Sequence, residues 1–408
     1  MTEATPRLSD REAALRRLAA FIPLVPRYAA ERNHAGPGES TVSRLSPAIR
    51  HRIVSEEEVV RAALAAHPFP VAEKFVQEVV WRSHWKGSLH LDPSPWLAYR
   101  ERLPVLRADG EHAAWGGIHR QALEGRTGLA CFDDWVRELT AEGFLHNHVR
   151  MWFASIWIFT FRIPWQLGAA FMHEHLLDGD PASNTLSWRW VAGLQTKGKQ
   201  YLARADNIER FSGGRWRPPP TALAADTFPI ADEPWRGPRP APLQPAVATR
   251  PGERGLLLST DDLSYDLLDD SAAHRAVCVV AQDGSDLVPL KRAFLADAVE
   301  ALRARIGGRP GIRPVTVATS APEILAWVRQ AGLAHVTVNP PQVGELLPVV
   351  QEALAGLDAA AVSVSLSRRR WDTEIHPLCD KGFFVTWERW KKRYDRGFET
   401  GGLVSTDA

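Results

Sequence analysis

Four short clusters in the first half of the chain carry residue types from which a binding site can be made. The first is Thr41-Val42-Ser43-Arg44-Leu45-Ser46-Pro47, with Tyr28 and Arg32 upstream. Hydroxyls and amides ahead of a helix, beside an arginine, suit an anion such as a diphosphate. The same residues also suit a plain helix start, with serine as cap and proline in the first turn. The second cluster is Phe75-Val76-Gln77-Glu78-Val79-Val80-Trp81-Arg82. On a helix, Glu78, Trp81 and Arg82 stand at i, i+3 and i+4, so one face presents an acid, an aromatic plane and a cation. Such a face can stack a base and accept from its ring N–H, or it can pair Glu with Arg beside a core Trp. In the third, Leu145-His146-Asn147-His148-Val149-Arg150-Met151, Asn147, Arg150 and Met151 share a face. His146 and His148, two apart, diverge on a helix, which argues against a paired metal site. The fourth is Asp178-Gly179-Asp180, followed by Asn184 and Trp188 on one helical face and by Trp190. No further acids follow at calcium-loop spacing, so the two carboxylates read as acceptors for a ligand's N–H and hydroxyl groups.

The elements that must position these residues follow from the hydrophobic pattern. Residues 10 to 215 read as helical: Leu15, Leu18, Ala19 and Ile22 share a face, and Glu56–Ala66 and Val71–Trp85 repeat apolar residues at three and four. The apolar run Met151–Phe161 is about half the length a bilayer demands and is closed by Arg162 and Pro164, so it reads as a core helix. Between Arg217 and Arg254 there are ten prolines, a density that sustains neither a helix nor a central strand and reads as a strap between units. From Gly255 onward, apolar runs at Leu256–Ser259, Ala276–Ala281, Val315–Ala318, His335–Val338 and Ala361–Ser365 alternate with helical stretches at Arg292–Arg305, Ala321–Ala331 and Val343–Ala355. That alternation predicts a doubly wound parallel α/β sheet. The expected organisation is a helical domain over 1–216, a Pro-rich linker over 217–254, an α/β domain over 255–400 and a tail over 401–408.

Composition narrows the classes. The 408 residues are 45% hydrophobic and 24% charged, which is globular. The net charge of +1 does not signal a globally basic nucleic-acid binder. Three scattered cysteines, Cys131, Cys278 and Cys379, give neither a disulfide framework nor zinc spacing, and no export or membrane segment is visible. A cytoplasmic, monomeric protein without metal or membrane attachment is the expectation.

In this order, and with Glu124-Gly125-Arg126-Thr127-Gly128 between the second and third, the clusters resemble the helical FAD-binding domain of the DNA photolyases and cryptochromes, from Tyr28 to Trp190. The resemblance implies that Tyr28, Ser43, Arg44, Leu45 and Ser46 contact the FAD phosphates and that Arg82 also binds the cofactor. It implies that Asn147, Arg150, Asp178 and Asp180 line the isoalloxazine and ribose, and that Asn184 faces flavin N5, as in photolyases rather than plant and animal cryptochromes. Glu78, Trp81 and Met151 correspond to lesion contacts of cyclobutane-dimer photolyases; the (6-4) enzymes are similar instead to a chain with histidines at the places of Asn147 and Met151. Trp188 and Trp165 correspond to the first two members of an electron-transfer chain, with Trp115 as a third candidate that does not align cleanly. The implied activity is light-driven splitting of pyrimidine dimers in DNA by an electron from excited reduced FAD, the alternative being a non-repairing blue-light sensor. Three departures stand out. Thr160 replaces an acid that would pair with Arg150, Val42 replaces a threonine, and His148 replaces an arginine.

The family normally places an α/β antenna domain ahead of the helical one. Here Gly255-Leu256-Leu257-Leu258-Ser259-Thr260-Asp261-Asp262-Leu263-Ser264 is similar to that domain's opening strand, with Thr260, Asp261 and Ser264 in place of its arginines. Lys381-Gly382-Phe383-Phe384-Val385-Thr386-Trp387-Glu388-Arg389-Trp390 resembles the segment that closes it. A circularly permuted order is therefore expected, with a possible antenna chromophore of unknown identity.

Overall fold

The computed structural model describes residues 8–36, 41–110, 112–196, 198–239, 243, 252–265 and 274–398; the tail expected at 401–408 lies outside them. Among the described residues twelve helices precede the strap: α1 (Arg11–Phe21), α2 (Val25–Glu31), α3 (Ser46–Arg50), α4 (Glu56–Ala66), α5 (Phe69–Leu91), α6 (Ser94–Asp109), α7 (Gly116–Leu123), α8 (Ala130–Glu142), α9 (Asn147–Ser155), α10 (Trp165–His175), α11 (Pro181–Val191) and α12 (Ala205–Phe211). Their starts follow local chemistry. Ser55 and Glu58 form a reciprocal capping box on α4, and the Asp180 side chain caps α11 by accepting from Ser183 N–H. The apolar run after Met151 is helical as expected, but it leaves the regular spiral for a π-helical turn over Ile156–Thr160 before Pro164.

The second half holds β1 (Arg254–Ser259), β2 (Ala276–Val280), β3 (Thr316–Ala318), β4 (His335–Val338) and β5 (Ser363–Leu366), with α13 (Pro289–Gly307), α14 (Ala321–Gln330) and α15 (Leu346–Ala359) between them. All five strands stand where the apolar runs placed them. They form one parallel sheet in the order β3-β2-β1-β4-β5, with Leu257 between Cys278 and Val338 in register. Two further helices, α16 (Arg370–Ile375) and α17 (Phe383–Phe398), leave the sheet and pack on α5.

The two units are less separate than the composition implied. One core cluster runs from Phe21, Leu45 and Val80 of the helical half through Leu256, Val277 and Phe294 to Trp371 and Trp390. Gly87 of α5 sits so close to the second half that a Cβ there would lie 2.6 Å from Cys379 Sγ. The strap does not stay clear of both cores, contrary to expectation. Leu223 is buried in the helical core, Phe228 and Ile230 pack against it, and Leu243 packs on the α/β core. Arg189 grips Asp232 with two hydrogen bonds of 2.9 and 3.1 Å, and Thr160 Oγ1 accepts from Ala224 N–H at 3.1 Å.

Polar contacts weld the interface. The Arg52 guanidinium reaches Glu56 at 3.1 Å, Asp262 at 3.2 Å and Asp372 at 2.5 Å, all buried. Arg369 makes two 2.8 Å bonds to Asp262, and Lys86 reaches Glu56 at 3.1 Å. Arg50 reaches Asp261 at 2.8 Å and Asp180 at 3.5 Å. Asp261 and Asp262 follow β1 at the carboxyl edge of the sheet, where the strand order reverses and open α/β sheets usually admit a ligand. Here Arg50, Arg52 and Arg369 fill that crevice. The residual cavity beside Arg50, Thr260 and Lys291 measures about 10 Å³, room for about one water.

Candidate cofactor and substrate site

A cavity of about 1140 Å³ opens in the helical half, just above the roughly 300–1,000 Å³ of common small-molecule sites. Among the residues expected from sequence, Tyr28, Ser43, Arg44, Ser46, Glu78, Trp81, Arg82, Asn147, Arg150, Met151, Asp178, Asp180, Asn184 and Trp188 all border it. Leu45 does not. Its side chain is fully buried in the core, and its N–H donates to Ser43 Oγ at 3.3 Å.

The loop before α3 reaches the cavity with Arg44 at φ 55°, a left-handed conformation that costs energy in a non-glycine residue. Arg17 holds the loop from behind by donating to the Ser43 and Val42 carbonyls at 2.8 and 3.2 Å. The Arg44 guanidinium lies 4.6 Å over the Phe144 ring and 3.8 Å from Glu142. Ser43, Arg44 and Ser46 thus offer two hydroxyls and a cation to an anionic group.

On the opposite wall Arg150 is committed. It donates to the Leu145 carbonyl at 2.9 Å and to Asp178 at 3.0 Å, so Asp178 supplies the partner that Thr160 cannot. Burial opposes ionisation of Asp178 and Asp180, but the facing guanidiniums outweigh it. Arg150 and Arg82 hold the Asp178 carboxyl below the usual carboxylate range. Arg50, with Lys86 and Arg82, holds Asp180 well below it. Both are therefore carboxylates at neutral pH. Asp180 spends Oδ1 on the α11 cap, while the buried Oδ2 has Arg50 Nε at 3.5 Å but no hydrogen-bond donor. The Asn184 amide donates to the Ala169 carbonyl at 2.8 Å, which turns its own oxygen free to accept. Burial, with His148 and Arg150 adding to it, pushes His146 down to about 4, so that ring is neutral.

Glu78 and Trp81 are on the α5 face as expected, but neither stands alone. Glu78 faces Lys74 at 3.0 Å and Arg32 at 3.5 Å. Trp81 lies face to face with Phe383 of α17. Trp190, named with the fourth cluster, borders the cavity too; sequence reasoning missed Phe383, Phe384 and Lys381, which border it from the second half of the chain, and also Trp85 and Lys199. Trp85 was within reach of a pattern search, at i+4 from Trp81; nothing local in 381–384 says that the segment returns to α5.

Trp188 packs so tightly on α10 that a Cβ at Gly168 would lie 2.3 Å from its ring. Its ring neighbours are Phe153 and Trp157, each at 6.3 Å. Trp165, expected next in an electron chain, stacks on Tyr99 at 5.8 Å and does not border the cavity. A continuous aromatic path does lead from Trp188 through Trp157 and His119 to the half-buried Trp115, in steps of 6.3, 5.6 and 5.6 Å.

Helices that converge on a largely apolar cavity with paired carboxylates and a hydroxyl-rich loop define a helical cofactor-binding domain. Residues 75–213 match the family described as the FAD binding domain of DNA photolyase. The chain is 32% identical to a deoxyribodipyrimidine photo-lyase of Streptomyces griseus, over 49% of this chain and 43% of that one. It is 35% identical to one of Thermus thermophilus, over 50% and 49%. Among solved structures, a bacterial class III photolyase from Agrobacterium tumefaciens is similar with a TM-score of 0.41 and 26% identity, over 50% of this chain and 43% of that one. The chain spans about half the length of the curated relatives it matches.

The helical unit is therefore similar to the FAD binding domain of DNA photolyase over residues 75–213, and FAD is the cofactor of that unit. The residues present fit it. Asp180 Oδ2 is a buried acceptor without a donor, and Ser183 Oγ is likewise buried without a hydrogen bond. Among the described residues no helix is long and apolar enough to cross a membrane, and no cluster of His, Cys, Asp and Glu is placed to hold a metal.

Phenylalanine at Trp188 keeps an aromatic ring on Gly168 but removes the indole. Trp188→Phe is expected to slow light-driven reduction of bound oxidised FAD sharply, followed by the absorbance of the purified protein under blue light. Equal rates in both proteins would leave Trp188 a packing residue.

Proposed function

We propose that the protein is a light-driven lyase that splits cyclobutane pyrimidine dimers in DNA. The observation that carries the reading is the meeting of two residue sets in one cavity: Ser43, Arg44, Asp178, Asp180 and Asn184 on the cofactor side, and Glu78, Trp81 and Met151 beside them. Reduced FAD, when bound, supplies an electron on absorbing light. The chain's own part is to bind and orient. Asp180 and Asn184 present acceptor oxygens, Trp81 presents an aromatic ring on which a pyrimidine stacks, and Glu78 accepts from the pyrimidine edge. Extruding the dinucleotide costs a few kcal/mol, which these contacts offset.

The cavity's charge is mixed rather than concentrated. Arg32, Arg44, Arg82, Arg150, Lys199 and Lys381 border it together with Glu78, Asp92, Asp178, Asp180 and Asp380. Stacking and edge recognition therefore carry more of the binding than phosphate attraction, and its salt dependence is shallow. We read the α/β unit as the antenna-type domain carried behind the helical one. The parallel sheet and the return of α17 to α5 support that order.

The test is illumination of flavin-reduced protein with a dimer-containing oligonucleotide, with restored bases as the readout. Trp81→Ala is expected to cost about 1–3 kcal/mol of lesion affinity through lost stacking, with little change for undamaged DNA. Dimers left intact by wild type under these conditions would overturn the repair reading in favour of a non-repairing light sensor.

A further inference from the structure

The aromatic residues of α17 recur at Phe383, Trp387, Trp390 and Tyr394, four and three apart, so their rings share one face of the helix. They stack in succession. Phe383 and Trp387 have centroids 6.4 Å apart with planes 16° from parallel, Trp387 and Trp390 are at 5.1 Å and 15°, and Trp390 and Tyr394 at 4.8 Å and 23°. At its far end the column is pinned by a hydrogen bond from the Tyr394 hydroxyl to Glu374. At its near end it meets α5, where the Phe383 ring lies 3.5 Å from the Trp81 ring and 9° from parallel with it. Phe383 is only 3% exposed, and His84 meets its edge at 5.5 Å. The ring is thus held by a packed helix face rather than hung on a loop, although both it and Trp81 border the cavity.

We propose that Phe383 is a positioning residue for ligand stacking: it covers one face of Trp81 and fixes the indole plane, so that the second half of the chain sets how a planar ring stacks in the cavity of the first half. The inference rests on Trp81 being the stacking residue of the proposed function. With one face taken, Trp81 accepts a single ring and cannot be sandwiched between two. With its plane already fixed, the indole loses no rotamer freedom when the ligand arrives, and immobilising one side chain is worth about twofold to tenfold in affinity.

Full-length, flavin-loaded protein titrated in the dark with dimer-containing and undamaged oligonucleotides tests this. Phe383→Leu keeps apolar bulk without a ring. It is expected to weaken lesion binding about threefold to tenfold, leaving undamaged DNA and flavin retention unchanged, and Phe383→Tyr is expected to restore it. In a Trp81→Ala background the same Phe383→Leu change should have no further effect, because its influence passes through the indole. Tighter lesion binding by Phe383→Leu would make the ring a plug over Trp81 and overturn the proposal. Equal losses in both backgrounds would overturn it by reducing Phe383 to packing. A Trp81→Ala protein that binds lesions like wild type would remove the stacking role of Trp81 itself, a failure distinct from the other two.

Discussion

Arg52→Ala is expected to lower the stability of the folded chain by about 3–5 kcal/mol, the cost of leaving buried charge uncompensated. The guanidinium is shared by Glu56, Asp262 and Asp372, one from the helical half and two from the second half. Alanine leaves Asp372 with His376 at 3.5 Å, and Glu56 with Lys86. Lysine keeps the charge but offers one ammonium where a planar fork served three acids, so Arg52→Lys should recover only part of the loss. The acid dependence has a definite sign. Burial by itself opposes ionisation of Asp262 and Asp372, yet Arg369 and Arg52 for the first, and Arg52 for the second, hold both well below the usual carboxylate range. Their stabilisation is therefore fully present above the unfolded-state pKa of about 4 and is lost as pH falls toward the folded-state values. In Arg52→Ala the folded-state pKa values rise, so less is lost on acidification, and the gap to wild type narrows as pH falls. Urea midpoints of both proteins at neutral pH and at about pH 3, inside the window where the loss occurs, measure this. A gap that stays constant, or a variant within 1 kcal/mol of wild type, would show that Arg52 does not hold the interface together.

That network also marks where reading the sequence stops. The elements themselves were legible. The five apolar runs became β1 to β5 because buried parallel strands need continuous apolar stretches, and Glu56–Ala66 is a helix to the residue because Ser55 and Glu58 cap it. Fourteen of the proposed site residues border one cavity because helical spacing sets each cluster's face, and the resemblance set their common register. The failures are non-local. Leu45 sits inside the phosphate-loop text but points into the core, and nothing in its neighbours encodes that. Trp165 follows the family's spacing; the π-helical turn at Ile156–Thr160 before it is not written in that spacing, nor is the ring contact of Trp157 with Trp188. The proline-dense strap looked like a spacer, but Leu223, Phe228 and Ile230 give it enough apolar surface to pack. Most of all, Arg50, Arg52, Asp262 and Asp372 each looked like an ordinary charged residue, and Asp261 only like a replaced arginine. Their pairing across more than 200 residues, as from Arg52 to Asp262 and Asp372, is visible only when the chain is folded.

Asp180→Asn is expected to cost the protein its flavin while keeping its fold. Asp180 has two duties that alanine would abolish together. Oδ1 caps α11 by accepting from Ser183 N–H at 2.7 Å, and Oδ2 is a buried acceptor with Arg50 Nε at 3.5 Å but no hydrogen bond among the described residues. Asparagine caps helices about as well as aspartate, so its side-chain oxygen takes over the first duty. The amide nitrogen then stands where Oδ2 was, and a donor replaces an acceptor. A ligand hydroxyl or N–H that donated there meets another donor and is left buried without a partner, at about 1–3 kcal/mol, or roughly 5- to 150-fold in FAD dissociation constant. Arg50 is not stranded by the change, because it keeps Asp261 at 2.8 Å and the Gly179 carbonyl at 3.1 Å. The variant gives up the charge that Arg50, Lys86 and Arg82 stabilise, so it should melt below wild type, and Asp180→Ala should lose a further ~0.5–2 kcal/mol through the missing cap. FAD titration of the deflavinated full-length chain, followed by flavin fluorescence beside a thermal melt, separates the two duties. An Asp180→Asn protein that retains FAD as tightly as wild type would mean that Oδ2 faces no ligand donor and that Asp180 serves the helix alone.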